Sequence, residues 1–446
     1  MHARMVARQS VCLRQLGGGR AGEVRFGRFL GNARVTMDAL IHGACAGIER
    51  RSAGRHVLSI QDTSEINYQG HAGRVKGLGT VGNGTDLGLF LHPVLAVDAD
   101  DGACLGLAHL HLWQRRKGKA PNYRNLPIED KESYRWIDAA QSGRKRLKQA
   151  ARITVVADRE ADIYELWHRL PDARTDLLIR ACRDRSLVTD TDQTLFAWIG
   201  TQPVQGSYRL MLPAVAGKRS AHEALLKVRF SRVTLKKPLH CSDKAAPESL
   251  TLNIIEVEED AGTVVGREEP IHWRLLTSHA VTTLEQARQC IGWYCQRWHI
   301  EQMFRTLKRQ GLALESSLIE EGARLEKLAV LAASAAVRTM QLTLAREGKT
   351  ARPATDAFAE EEIELLHHVQ PTLEGKTEKQ KNPHPPASLA WAAWIIARLG
   401  GWKGYASERK PGPITMLHGL QSFSSIREGW NIARKLMAGE KDVCIR

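Results

Sequence analysis

Three carboxylates stand out by the company they keep. Asp62 closes Ser-Ile-Gln-Asp62-Thr and Asp158 closes Val-Val-Ala-Asp158-Arg-Glu-Ala-Asp162. Each follows a run of β-branched and aliphatic residues that predicts a short strand. Carboxylates move protons or hold hard cations. Strand ends in an α/β sheet deliver such groups to a shared site on rigid backbone. Taken singly, either aspartate also reads as a loop-starting or helix-capping residue. The polar run Asp158-Arg-Glu-Ala-Asp162, directly after a buried strand, favours chemistry over capping. The third carboxylate is Glu301, in Tyr294-Cys-Gln-Arg297-Trp-His-Ile-Glu301, followed by Lys308. Treated as one helix, Tyr294, Arg297, Glu301 and Lys308 share a stripe roughly 60° wide, with Arg305 beside it. A carboxylate among cations is either an anion-gripping site or a solvated helix face laced with i,i+4 pairs. Tyr294, with Trp293 and Trp298 next to the signature, weighs against the solvated face.

The elements that must position these residues follow from the patterning. His56 to Gln61 predicts the strand that ends at Asp62, and Ile153 to Ala157 the strand that ends at Asp158. A glycine-rich stretch runs from Lys76 to Gly88. Leu89–Val97 and Cys104–Trp113 flank the turn residues Asp98 to Gly102 and predict a hairpin. Lys131 to Ala151 predicts a helix with a basic face, and Asp176 to Arg180 a further strand. This is a mixed α/β order. Residues 191–284 change character: Ala224, Leu226, Val228 and Phe230 alternate with Leu225, Lys227 and Arg229, as in a half-buried strand. Leu250–Val257 and Ile271–Leu276 add strands to this β-rich insertion. Helix is expected from Thr283 to about Arg346. Pro371 to Pro386 is charged, proline-rich and without apolar period, which predicts a linker or exposed loop. Beyond it Trp391, Trp394, Ile395 and Arg398 return to helical spacing. Residues 1–22 are basic and contain Gly17-Gly18-Gly19, the composition of a weakly ordered end. Thr36 is placed to cap a helix starting at Met37.

Composition bounds the function. Over 446 residues, Lys+Arg 64 against Asp+Glu 49 leaves a net charge of +15. That surplus favours a polyanionic partner, because each phosphate neutralised by Lys or Arg releases counterions. Membrane surfaces and ribosomes attract basic proteins as well. No apolar run approaches the ~20 residues of a membrane span; the longest is Leu328 to Val337, broken by Ser334. The N-terminus lacks the apolar core of a signal peptide. Cysteines at 12, 45, 104, 182, 241, 290, 295 and 444 form no Cys-x-x-Cys pair, so no zinc site is expected and reduced thiols in a cytoplasm are the simplest reading.

Tyr294, Arg297, Glu301 and Lys308 match, at every position, the helix signature of bacterial DDE transposases of the insertion-sequence-four family. The segments around Asp62 and Asp158 resemble that family's other two catalytic motifs, in the right order. The chain most resembles the transposon-five transposase branch, over roughly residues 23–435. The resemblance implies an α/β fold: a ribonuclease H-like mixed-sheet catalytic core over 51–190 plus 285–348. A β-strand insertion would span 191–284, a short helical N-terminal region 1–50 and a helical C-terminal dimerisation domain 349–446. It implies that Asp62, Asp158 and Glu301 hold two Mg2+ ions, with Mn2+ able to substitute, for in-line displacement at phosphorus. It implies that Tyr294, Arg297, Lys308 and Arg180 contact phosphate, with Arg305 beside them, and that Trp273 stacks a flipped base. The partners implied are double-stranded DNA, as terminal inverted repeats and target, and a second copy of the chain on paired ends, with no membrane. The reaction implied is nicking, hairpin formation, hairpin opening and strand transfer.

The pattern departs from the family at the start. Only 61 residues precede Asp62, and Val24 to Val35 resembles just the final part of the family's end-binding module. That leaves two alternatives beside an active cut-and-paste enzyme: a shortened DNA-binding or inhibitory derivative, or a ribonuclease H-like nuclease without strand transfer.

Overall fold

The computed structural model describes residues 1–82, 84–115, 123, 126–189, 192–215, 217, 219–308, 311–349, 351–405 and 408–437. Cys444 lies outside them. Among the described residues the strands are β1 (His56–Gln61), β2 (Ser64–Asn67), β3 (Gly79–Val81), β4 (Asp86–Asp98), β5 (Cys104–Trp113), β6 (Arg152–Ala157), β7 (Thr175–Arg180), β8 (Gly206–Leu212), β9 (His222–Lys236), β10 (Ser249–Glu259) and β11 (His272–Thr277). Helices come before, between and after them, so the architecture is mixed α/β with a helical C-terminal region, consistent with a ribonuclease H-like core. The chain forms two compact units. One comprises Met1–Ser52, Thr63–Lys117 and His299–Arg446; the other comprises Ala53–Asp62 and Gly118–Trp298.

The second unit is built on the strand order β1-β6-β7-β11-β10-β9-β8. β1, β6 and β7 are parallel neighbours and the remaining pairs are antiparallel. The parallel strands are nearly continuous apolar runs, as strands covered on both faces must be. Val57, Leu58 and Ile60 of β1, Val156 and Ala157 of β6, and Leu177 to Ile179 of β7 have no exposed surface. The helix Leu284–Cys295 packs on this part of the sheet, with Trp293 edge-on to His56 at 4.8 Å. Thr283 starts it with a capping box: its side chain accepts from the Gln286 amide, and the Gln286 side chain reciprocates. β8, a strand the patterning does not reveal, is exposed at most positions, which removes the alternation that would mark it.

In the first unit β4 pairs with β2, β3 and β5, all antiparallel. β4 and β5 are the expected hairpin. The glycine-rich stretch is held tightly: a Cβ on Gly322 would lie 2.4 Å from the Gly77 carbonyl oxygen, so the loop and the start of the helix Gly322–Ala345 meet backbone to backbone. That helix has 24 residues, is apolar along most of its length and is largely buried. By length and composition alone it could cross a membrane, although Arg324, Glu326, Lys327 and Arg338 interrupt its apolar run. Its burial marks it as the interior helix of this unit.

One expectation is corrected and another is narrowed. The N-terminal segment is ordered, with helices His2–Arg8 and Leu13–Gly17. Met5 and Leu16 are fully buried, and that apolar anchorage outweighs the flexibility of three glycines. The stretch from Pro371 is, beyond Leu373, the exposed loop that was one of its two expected readings; only its first three residues are α-helical. Pro371 lies inside the helix Glu360–Leu373, in its last turn. Asn382 then ties the following chain down, its amide donating to Glu374 and its side chain to the Trp391 carbonyl. Thr36 caps the helix Met37–Ala44 as expected, accepting from the Ala39 amide at 3.2 Å.

Candidate active site

Register sets the first part of the site. β1 and β6 pair so that Ile60 faces Val156, and β6 and β7 so that Ala157 faces Ile179. Carried to the strand ends, the same register puts Asp62, Asp158 and Arg180 side by side on three consecutive parallel strands, ~4.8 Å apart from one to the next. Residues at one level of a parallel sheet share a face. By this extension of the register, Asp62, Asp158 and Arg180 lie at one level at the carboxyl ends of buried strands, while the Arg180 guanidinium itself reaches the His272 carbonyl.

Two adjacent carboxylates repel, and the chain between the helices Leu284–Cys295 and Trp298–Lys308 offsets this. Arg297 donates through a guanidinium NH to Asp62 Oδ2 at 2.9 Å, with side-chain exposures of 14% and 23%. The Tyr294 hydroxyl donates to Asp158 Oδ1 at 3.3 Å. The Arg159 amide donates to that same oxygen at 2.8 Å. Burial, and next the Asp158 charge, push the Tyr294 phenol up to about 12, so at neutral pH it is a hydrogen-bond donor. The Arg297 guanidinium lies 5.9 Å from the Tyr294 ring centroid.

Trp273 joins from β11. Its ring meets Tyr294 edge to face, with centroids 5.7 Å apart and planes at 65°. Arg180 pairs with Leu275 across β7 and β11, and its guanidinium donates to the His272 carbonyl at 3.2 Å. Arg180 is thus fixed beside Trp273 as well as beside Asp158.

The signature spacing does not form one helix. The first helix ends at Cys295 and the second starts at Trp298. In between, the amides of Gln296 and Arg297 donate three residues back, to Trp293 and Tyr294. The stripe computed at 100° per residue fails across this break. Tyr294 closes one helix, Arg297 sits in the turn, and Glu301 and Lys308 lie two turns apart on the next. Asp62, Asp158, Arg180, Trp273, Tyr294 and Arg297 belong to one compact unit; Glu301, Arg305 and Lys308 belong to the other. Glu301 is half-buried in the first turn of its helix, Arg305 is exposed. Lys308 Nζ donates to the Glu65 carbonyl at 2.7 Å and pairs with Glu315 at 3.2 Å.

One residue that the sequence reading grouped with the site has a structural task. Asp162 is fully buried. It accepts from the amides of Cys182 and Arg183, each at 3.1 Å, and from Arg185 at 2.5 and 3.2 Å. It ties the chain leaving β6, which carries Asp158, to the chain leaving β7, which carries Arg180.

The donor set is one of hard oxygens on adjacent strands, the set that suits a divalent cation of the Mg2+ kind. Around it lie a protonated phenol, guanidinium groups and an indole, which can hold phosphate and stack a base. Residues 137–338, a little under half of the chain, match the family model described as a transposase DDE domain. The matched stretch contains Asp158, Arg180, Trp273, Tyr294, Arg297, Glu301 and Lys308; Asp62 precedes it.

Proposed function

We propose that the protein is a cut-and-paste DNA transposase of the insertion-sequence-four type, of the transposon-five branch, that cleaves at transposon ends and joins them to target DNA. The observation that supports this most is the row Asp62–Asp158–Arg180, with Arg297 and Tyr294 seated on its two carboxylates. Asp62, Asp158 and Glu301 would hold Mg2+, with Mn2+ as a substitute. Bound there, the metal supplies an activated attacking oxygen and charge stabilisation for the leaving oxygen. Arg297, Lys308, Arg180 and Arg305 neutralise phosphates near the scissile bond, and Tyr294 donates a hydrogen bond to one. Trp273 stacks a base turned out of the duplex. The 3′-hydroxyl freed by nicking attacks the other strand to close a hairpin, which is reopened before strand transfer. The working form is a dimer on two paired ends, and the net charge of +15 favours that DNA electrostatically.

Glu301→Ala is expected to abolish cleavage of DNA carrying the element's terminal repeats while nonspecific DNA binding persists. Cleavage that survives the substitution would remove Glu301 from the ligand set. Joined product in a strand-transfer assay is the expected result for the wild type, and cleavage without joining would favour a plain nuclease.

A further inference from the structure

Glu256 of β10 is a carboxylate with 3% side-chain exposure in the middle of the sheet. Its Oε1 accepts from Arg274 Nε at 2.9 Å and lies 2.9 Å from His272 Nε2; its Oε2 accepts from Arg229 at 3.3 Å. Glu256 faces Arg229 across β9 and Arg274 across β11, so the group forms a rung on one face of three strands. His272 and Arg274 are the two residues that flank Trp273. Side chains alternate along a strand. With its neighbours turned to Glu256, Trp273 faces the other way, where its ring meets Tyr294.

The opposite edge of β11 is held at the same two residues. Arg180 donates to the His272 carbonyl, and the Ala181 amide donates to the Arg274 carbonyl at 2.8 Å. The Arg274 guanidinium also rests 4.3 Å from the centre of the Phe196 ring. A buried carboxylate is a costly way to hold a strand, because apolar residues of similar volume usually stabilise as well or better. Burial works against the Glu256 charge, yet hydrogen bonds from His272 and Arg274 keep its carboxyl below the usual glutamate range. What the ionic rung adds over apolar packing is a fixed level and rotation of β11 at Trp273.

We propose that Glu256 is a positioning residue that sets the Trp273 indole against Tyr294 as a platform for an unstacked DNA base. The proposal rests on the base-stacking reading of Trp273. The probe is a duplex with one adenine opposite an abasic site, compared with the fully paired duplex of the same sequence. Their affinity ratio cancels the phosphate contacts common to both. The wild type should favour the unpaired-base duplex roughly tenfold, the scale of one base stacked on an aromatic side chain. Trp273→Ala should bring the ratio to about one. Glu256→Gln and His272→Ala should lower it several-fold with paired-duplex affinity unchanged, and Glu256→Gln added to Trp273→Ala should lower it no further. A merely structural role would weaken both duplexes alike. Folding of each variant is checked by thermal melting, and the half-exposed His272 gives a variant that folds if Glu256→Gln does not. A wild-type ratio in Glu256→Gln or His272→Ala, with Trp273→Ala at one, would overturn the positioning role alone. A wild-type ratio in Trp273→Ala would overturn the base-stacking reading and the proposal with it.

Discussion

Replacing Asp162 with alanine strips four donors of one acceptor group. Two are the amides of Cys182 and Arg183; two are NH groups of Arg185, a guanidinium with 5% side-chain exposure. Among the described residues, the Arg185 guanidinium then keeps its bond to the Asp162 carbonyl. Leaving one member of a buried ion pair without its partner costs about 3–5 kcal/mol, and each orphaned amide about 1–3 kcal/mol where water cannot reach it. For a unit of this size, ~2–4 °C of melting temperature goes with each kcal/mol. Asp162→Ala should therefore lower the melting transition by on the order of 10 °C, and Asp162→Asn, which keeps one acceptor oxygen, by less. The double variant Asp162→Ala with Arg185→Leu should regain roughly 2 kcal/mol or more, because the stranded charge is gone. Differential scanning calorimetry and urea titration read all of these. A single variant melting within about 1 °C of the wild type, or a double variant no better than the single, would refute the reasoning.

Thr283→Ala removes the side-chain half of a capping box and should cost about 1 kcal/mol, read as a shift in urea midpoint; no shift would mean that packing of the helix, not its cap, holds its first turn. His279 is held mainly by burial at a pKa of about 4, with Arg152 and His56 pushing the same way and Asp176 opposing. Its neutral form is the folded form, so the unfolded chain takes up a proton that the fold refuses. This stabilising contribution is complete above about pH 6.5 and is lost as pH falls toward 4. The fall in melting temperature between pH 7 and pH 5 should be smaller in His279→Gln, and an unchanged fall would assign the acid sensitivity elsewhere.

The strands of the candidate site were legible because β1, β6 and β7 are dense in β-branched and aliphatic residues and end on polar ones. Asp62 and Asp158 could be singled out for that reason. Their exact alignment could not, since register depends on which strands pair. The break after Cys295 was hidden because Gln296 and Arg297 carry no glycine or proline to announce it. The order of residues 1–22 was hidden because the helix His2–Arg8, which carries Met5, packs against the distant helices Gly322–Ala345 and Pro413–Met437. Glu256 carries no local signal at all: its partners lie on two other strands, and only β-pairing assembles them.

The alignment of β1 with β6 also bears on what a one-residue deletion would do to the fold. Side chains alternate faces with a period of two, so deleting one codon within β1 would leave the strand apolar and able to pair. It would also turn either Asp62 or the anchoring aliphatic residues to the opposite side. In such a chain residues 62 and 158 would no longer share one face of the sheet, however well the strand itself paired.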